Sequence, residues 1–140
     1  MTISLDQSSL APSLSQRRDA AWQDYVTVRD SPKIKWCKIS FHQGWLLVDM
    51  GIEGPNHASF SDFITAVFFA WAFLHTKVPL QSYGRCLIEN PETQACAPDL
   101  VLYKGEDIPR WQSGQPRRIV VLDQRVPDLV AEISDTTLSI

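Results

Sequence analysis

Cysteine is scarce: Cys37, Cys86 and Cys96 are the whole complement, and they lie far apart. An odd, widely spaced set with no Cys-x-x-Cys and no compact Cys/His group argues against a disulfide scaffold and a structural zinc site. The histidines, His42, His57 and His75, are equally scattered and read as surface or half-buried residues rather than ligands. Basic charge is also short. Thirteen Lys and Arg stand against 16 Asp and Glu, a net charge of -3, whereas a general nucleic-acid coat draws its affinity from cationic excess. Any nucleic acid would have to meet a local strip. Only Arg17-Arg18 and Arg117-Arg118 are dense enough to consider, and each pair alone reads as solvated surface. No apolar run approaches the roughly 20 residues that span a bilayer; the longest helical one, Ala66 to Leu74, is much shorter. Residues 1–14 are polar and Ser-rich, without the basic and apolar regions of a signal peptide. They are expected to be a flexible leader on a cytoplasmic protein with no membrane segment. A Ser-His-Asp elbow, a phosphate-cradling glycine loop and a dinucleotide fingerprint are all lacking.

What remains is an ordinary globular balance, 44% hydrophobic and 21% charged over 140 residues, enough for one domain with its own core. That domain is expected over residues 15–140. A first helix is predicted from Gln16 to Arg29, capped by Ser15 and stopped by Asp30-Ser31-Pro32. Lys33 to Phe41 alternates as a strand, with a phase slip after Cys37 that suggests a bulge. His42-Gln43-Gly44 turns it into a return strand from Trp45 to Met50. Gly51 to Asn56 is expected to be a loop. A long helix, Asp62 to His75 with Ser59 or Ser61 as its cap, is apolar around nearly its whole circumference. Such a helix belongs in a core, where its far side could also meet a second copy in a homodimer. Short strands are then predicted around Gly84, at Asp99 to Tyr103, at Ile119 to Leu122 and at Asp128 to Ile133, with a Pro-containing loop from Asn90 to Ala97. The order implies one mixed sheet with helices packed on it.

One tetrapeptide occurs twice: Pro98-Asp99-Leu100-Val101 and Pro127-Asp128-Leu129-Val130. Proline at a strand's first residue costs no ladder bond, so the simplest reading is a shared strand-start device. The second copy continues into Glu132. Strand alternation puts Asp128, Val130, Glu132 and Ser134 on one face. Glu132, between Ala131 and Ile133, is therefore expected deep in an apolar strand, where a carboxylate is costly without a neutralising partner. If the strand of Asp99 lies beside it, the two acids converge. Converging acids raise each other's proton affinity unless a cation sits between them, and Mg²⁺ accepts carboxylate oxygens together with waters and phosphates.

Acids in the pattern Pro-Asp … Glu resemble the metal-binding pair of the restriction-endonuclease-like, PD-(D/E)XK nucleases. More closely, the chain resembles the Uma-two family of restriction endonucleases. The matching segments are Trp22-Gln23-Asp24-Tyr25, Ile39 to Gly44, Pro98 to Tyr103 and Val126 to Thr137, the last two being the more specific. The resemblance implies an α/β (α+β) fold with a central mixed β-sheet flanked by helices. It implies a Mg²⁺- or Mn²⁺-dependent endonuclease acting on DNA, with Asp99 and Glu132 as catalytic metal ligands and Asp128 in a structural role.

The chain departs from that pattern in three ways. The parent fold's lysine, two residues after the glutamate, is Ser134 here. The family's lysine on a following helix would lie beyond Ile140, so the last helix and strand are expected to be missing, with Asp135, Thr136 and Thr137 as the cap of that helix. The places of an upstream acid hold Ser40, Leu47 and Ala58, leaving Glu53 and Glu89 as substitutes. Two other readings therefore stand beside the endonuclease: an inactive remnant that only binds or oligomerises, and a hydrolase using the two acids as an acid/base pair without metal. The second wants aromatic platforms near the acids, and Trp111 is the only tryptophan close to them in sequence.

Overall fold

A computed structural model describes residues 16–33, 37–49 and 54–133. The expected leader, Ser15, Ile34 and Trp36 of the predicted strand, Glu53, Ser134 and the cap at Asp135 to Thr137 lie outside those residues. The architecture is α+β, as expected, and divides into two compact units, Met1–Ile52 and Glu53–Ile140.

The first unit is built around a hairpin. Ile39 and Phe41 alternate inward along β2 (Lys38–His42) and are buried. Gln43 and Gly44 both take positive φ, 47° and 79°, the conformation a two-residue turn needs to match strand twist. The chain then returns as β3 (Trp45–Asp49), antiparallel to β2 with Phe41 opposite the fully buried Leu46. The predicted helix from Gln16 is corrected in its first half. Gln16–Asp19 is strand β1, paired antiparallel with β3, and α1 spans only Trp22–Arg29. The free edge of β3 supplies backbone partners that a lone polar stretch would lack, and the Arg17 guanidinium lies 4.1 Å from the centre of the Trp45 ring. The N-cap of α1 is Ala21. Asp24 Oδ2 accepts the Ala21 N–H at 2.8 Å. Trp22, Tyr25 and Phe41 form the unit's aromatic centre, with Trp22 meeting Phe41 edge-on at 5.4 Å.

The second unit opens with α2 (Pro55–His75), 21 residues long. It starts seven residues earlier than expected (55 against 62), within the stretch read as a loop. Gly54 is the N-cap and Pro55 the first helical residue, where a missing N–H costs nothing. Six strands follow among the described residues: β4 (Leu80–Ser82), β5 (Ile88–Asn90), β6 (Gln94–Cys96), β7 (Leu100–Lys104), β8 (Ile119–Val120) and β9 (Leu129–Ala131). β6 falls in the expected Pro-containing loop and pairs with β5 as a hairpin. β5 also pairs parallel with β8, so this sheet is mixed. β4, β7 and β9 form an antiparallel sheet with β7 in the middle. Ile88, Val101, Tyr103 and Ile119 join β5, β7 and β8 in one buried cluster.

The expectation that α2 is buried on most sides is corrected. Only His57 and Ala72 are buried along it, while Phe60, Phe63, Val67, Trp71, Phe73 and Leu74 are exposed. The reason is size. A helix of this length runs about 31 Å, and strands of two to five residues cover only about 7–17 Å. By length and composition α2 is apolar enough to cross a membrane.

Two predictions follow from this packing. Leu100→Ala, at the buried start of β7, lowers unfolding free energy by about 2–5 kcal/mol in urea titration, whereas Phe73→Ser, at a residue 84% exposed, stays within about 0.5 kcal/mol. Burial pushes the Tyr103 phenol from 10.0 up to about 12, with Cys86 and Tyr83 adding to the shift. The folded state therefore holds that proton more tightly than the unfolded state. Its stabilisation is full below pH 10 and is lost as pH rises through about 12, which alkaline denaturation curves of Tyr103→Phe against the wild type will show as a shallower decline in the variant.

Candidate active site

Asp99 precedes β7 and Glu132 follows β9. The β7–β9 ladder pairs Leu100 with Ala131, Val101 with Val130 and Leu102 with Leu129. Continued one step past its end, the same register sets Asp99 across from Glu132. The Ile133 N–H donates to Asp99 Oδ2 at 2.8 Å, so the two chains still run together there. The condition placed on the pair, that their strands be neighbours, is met.

The surroundings of the two acids differ. Asp99 is 4% exposed, and a carboxylate taken out of water needs donors. Besides Ile133, it has His57, whose Nε2 lies 3.1 Å from Asp99 Oδ2 and 2.9 Å from the Ile133 carbonyl oxygen. Both neighbours are acceptors, so Nε2 carries the hydrogen and shares it between them. Glu132 is corrected: it is exposed, one residue beyond the end of β9. Alternation identifies the face of a strand but not whether the strand is covered. β9 is the outer strand of its sheet among the described residues, so desolvation does not force a partner on Glu132.

His57 is the member of this group that sequence reasoning passed over. It sits in the first turn of α2, a position that Gly54-Pro55 marks as a helix start. Ala58, one of the places the family gives to an upstream acid, is its neighbour. Gly84 was also missed as a contributor. A Cβ there would stand 2.7 Å from the Asp99 carbonyl oxygen. Its absence lets Arg85 N–H donate to the Pro98 oxygen at 2.7 Å and Tyr83 N–H to the Val101 oxygen at 2.9 Å.

Asp128, the acid of the second Pro-Asp, has the structural role expected of it. Its Oδ2 accepts the Lys104 N–H at 2.7 Å, and the Arg125 Nη2 lies 2.6 and 2.7 Å from its two oxygens. Arg125 Nη1 also donates to the Lys104 and Glu106 carbonyls. Glu89 is not a solvated loop acid. It lies in β5, 2% exposed, with Arg118 Nε donating to its Oε2 at 2.6 Å. That contact also removes Arg118 from the surface strip read from the sequence.

Among the described residues no group of three or more His, Cys, Asp or Glu is placed to hold a metal ion. His57 Nε2 is committed to Asp99 and Ile133. Asp99 and Glu132 therefore offer oxygen donors only. That chemistry fits Mg²⁺ or Mn²⁺, with waters and phosphate completing the shell, and does not fit a closed zinc cage.

His57→Ala leaves Asp99 Oδ2 with the Ile133 N–H but without the imidazole donor. It should lower unfolding free energy by about 1–3 kcal/mol, and His57→Gln, which keeps a donor, should recover part of the loss in the same urea titration.

The Uma2 family model, described as "Putative restriction endonuclease", matches residues 11–140. No curated protein and no solved structure matches the chain.

Proposed function

The chain belongs to the Uma2 restriction-endonuclease family, and from that premise we propose that it is a metal-dependent endonuclease hydrolysing DNA phosphodiester bonds, with Asp99 and Glu132 holding Mg²⁺ or Mn²⁺. The family supplies the nuclease class and DNA as the substrate class. The observation that carries the finer reading is the β7–β9 register, which continues to Asp99 and Glu132 on facing chains. Directly opposed residues approach to about 4.5–5.5 Å at Cβ. Carboxylates brought together from such positions repel unless a cation lies between them.

When bound, the ion polarises the scissile phosphate and makes a water more acidic. The chain's own contribution is positional. Ile133 and His57 fix one oxygen of Asp99 before any ligand arrives, so little ordering remains for binding to supply. Glu132, in the open, is the acid that solvent and phosphate reach first. The place two residues after it, where the parent fold keeps a lysine, is Ser134, which cannot offset phosphate charge. Cleavage is therefore expected to be slow, since one electrostatic contact of this kind contributes roughly several kcal/mol.

Plasmid nicking with Mg²⁺ or Mn²⁺ tests the proposal together with thermal unfolding under the same ions. The wild type should nick DNA and gain stability, about 2.7 kcal/mol at a hundredfold excess over Kd. Asp99→Asn should lose the metal-induced gain and at least about 100-fold of the activity. A wild type that neither nicks DNA nor responds to either ion overturns the reading and leaves a non-catalytic binding domain. Cleavage that needs no metal favours the acid/base pair instead.

A further inference from the structure

A cavity of about 380 Å³ opens in the second unit, lined by neither of the two acids. Its volume falls in the roughly 300–1,000 Å³ range of small-molecule sites. Tyr83 and Cys86, from the connection between β4 and β5, form one wall; Trp111, Gln115, Arg117 and Arg118, from the connection between β7 and β8, contribute to the rest.

These groups are held in place and differ in charge. The Trp111 indole N–H donates to the Gln115 carbonyl oxygen at 2.9 Å, and Gln115 Oε1 accepts the Gln112 N–H at 3.1 Å. The loop thus fixes its own ring, yet Trp111 remains 56% exposed. The Arg117 guanidinium stands 5.6 Å from that ring's centre and is exposed. Arg118 is spent on Glu89. Tyr83 donates its hydroxyl hydrogen to the Pro109 carbonyl oxygen, tying the Trp111 loop to the strand region below it. Burial pushes the Cys86 thiol up, so that wall is uncharged. The result is an apolar recess with a rigid open aromatic ring and one cation at its rim.

That combination fits an unstacked nucleotide: a base has a flat face for the ring, and its phosphate suits the guanidinium. The location agrees. The Tyr83-to-Arg85 stretch runs hydrogen-bonded beside Pro98 to Val101, so the cavity wall and Asp99 belong to neighbouring chain segments. The charge balance agrees as well. A chain of net charge -3 holds DNA by local devices or not at all.

We propose that this cavity takes one unstacked nucleotide of the substrate, its base on Trp111 and its phosphate at Arg117, and that the enzyme prefers single-stranded or locally opened DNA. The inference rests on the endonuclease reading for its choice of ligand.

The test is fluorescence anisotropy of a labelled single-stranded oligodeoxynucleotide and of the blunt duplex of the same sequence, in EDTA, so that binding is read without cleavage. The single strand should bind more tightly than the duplex. Trp111→Ala should weaken single-strand binding by about 5- to 100-fold and Trp111→Phe should retain most of it. Arg117→Gln should flatten the salt dependence by about one phosphate contact. Circular dichroism checks that each variant is folded, and the Phe and Gln variants keep the test decisive if Trp111→Ala is not. Equal binding of both DNA forms, or single-strand binding indifferent to Trp111 and Arg117, overturns the inference. Trp111-dependent binding by a wild type that never nicks plasmid would instead sink the endonuclease reading and leave the cavity as a single-strand site. Metal-dependent nicking without Trp111-dependent binding would do the reverse.

Discussion

The pairing of β7 with β9 is secured by a reciprocal clamp, and the rest of the second unit depends on it. Each strand is preceded by Pro-Asp. Asp99, before β7, accepts the backbone N–H of Ile133 after β9; Asp128, before β9, accepts the N–H of Lys104 at the end of β7. The two carboxylates close the ladder from opposite ends. A slip of one residue would break both contacts at once and turn each side chain to the other face. The repeated tetrapeptide is thus one device used twice, related by the local antiparallel symmetry of the strand pair.

The two copies diverge only in what lies around them. Arg125 neutralises Asp128 and ties it to the chain beyond β7, so that acid is committed to structure. Asp99 meets a shared imidazole hydrogen from α2 and faces Glu132 across the ladder. A strand-start acid becomes a candidate ligand through this difference in company. The buried Glu89–Arg118 pair follows the first pattern: once a guanidinium is seated on a carboxylate, the group serves the fold.

Much of this was legible in the sequence because it is local. Alternation placed Ile39 and Phe41 inward, the Gln43-Gly44 turn fixed the hairpin, and the repeat named both aspartates. The failures are those of context. Gln16 to Asp19 carries no strand signal of its own and becomes β1 by pairing with β3. Alternation set the face of Glu132 but could not show that β9 lies at an edge. Gly54-Pro55 has the composition of a breaker but begins a helix, and that ambiguity conceals His57. No local pattern joins His57 to Asp99, because their contact spans 42 residues of sequence.

His57 also gives α2 a structural significance. The helix is a rod with one end hydrogen-bonded to the Asp99 group and a long apolar flank in the open. The imidazole thus joins the first turn of a largely exposed apolar helix to the acid that the fold buries.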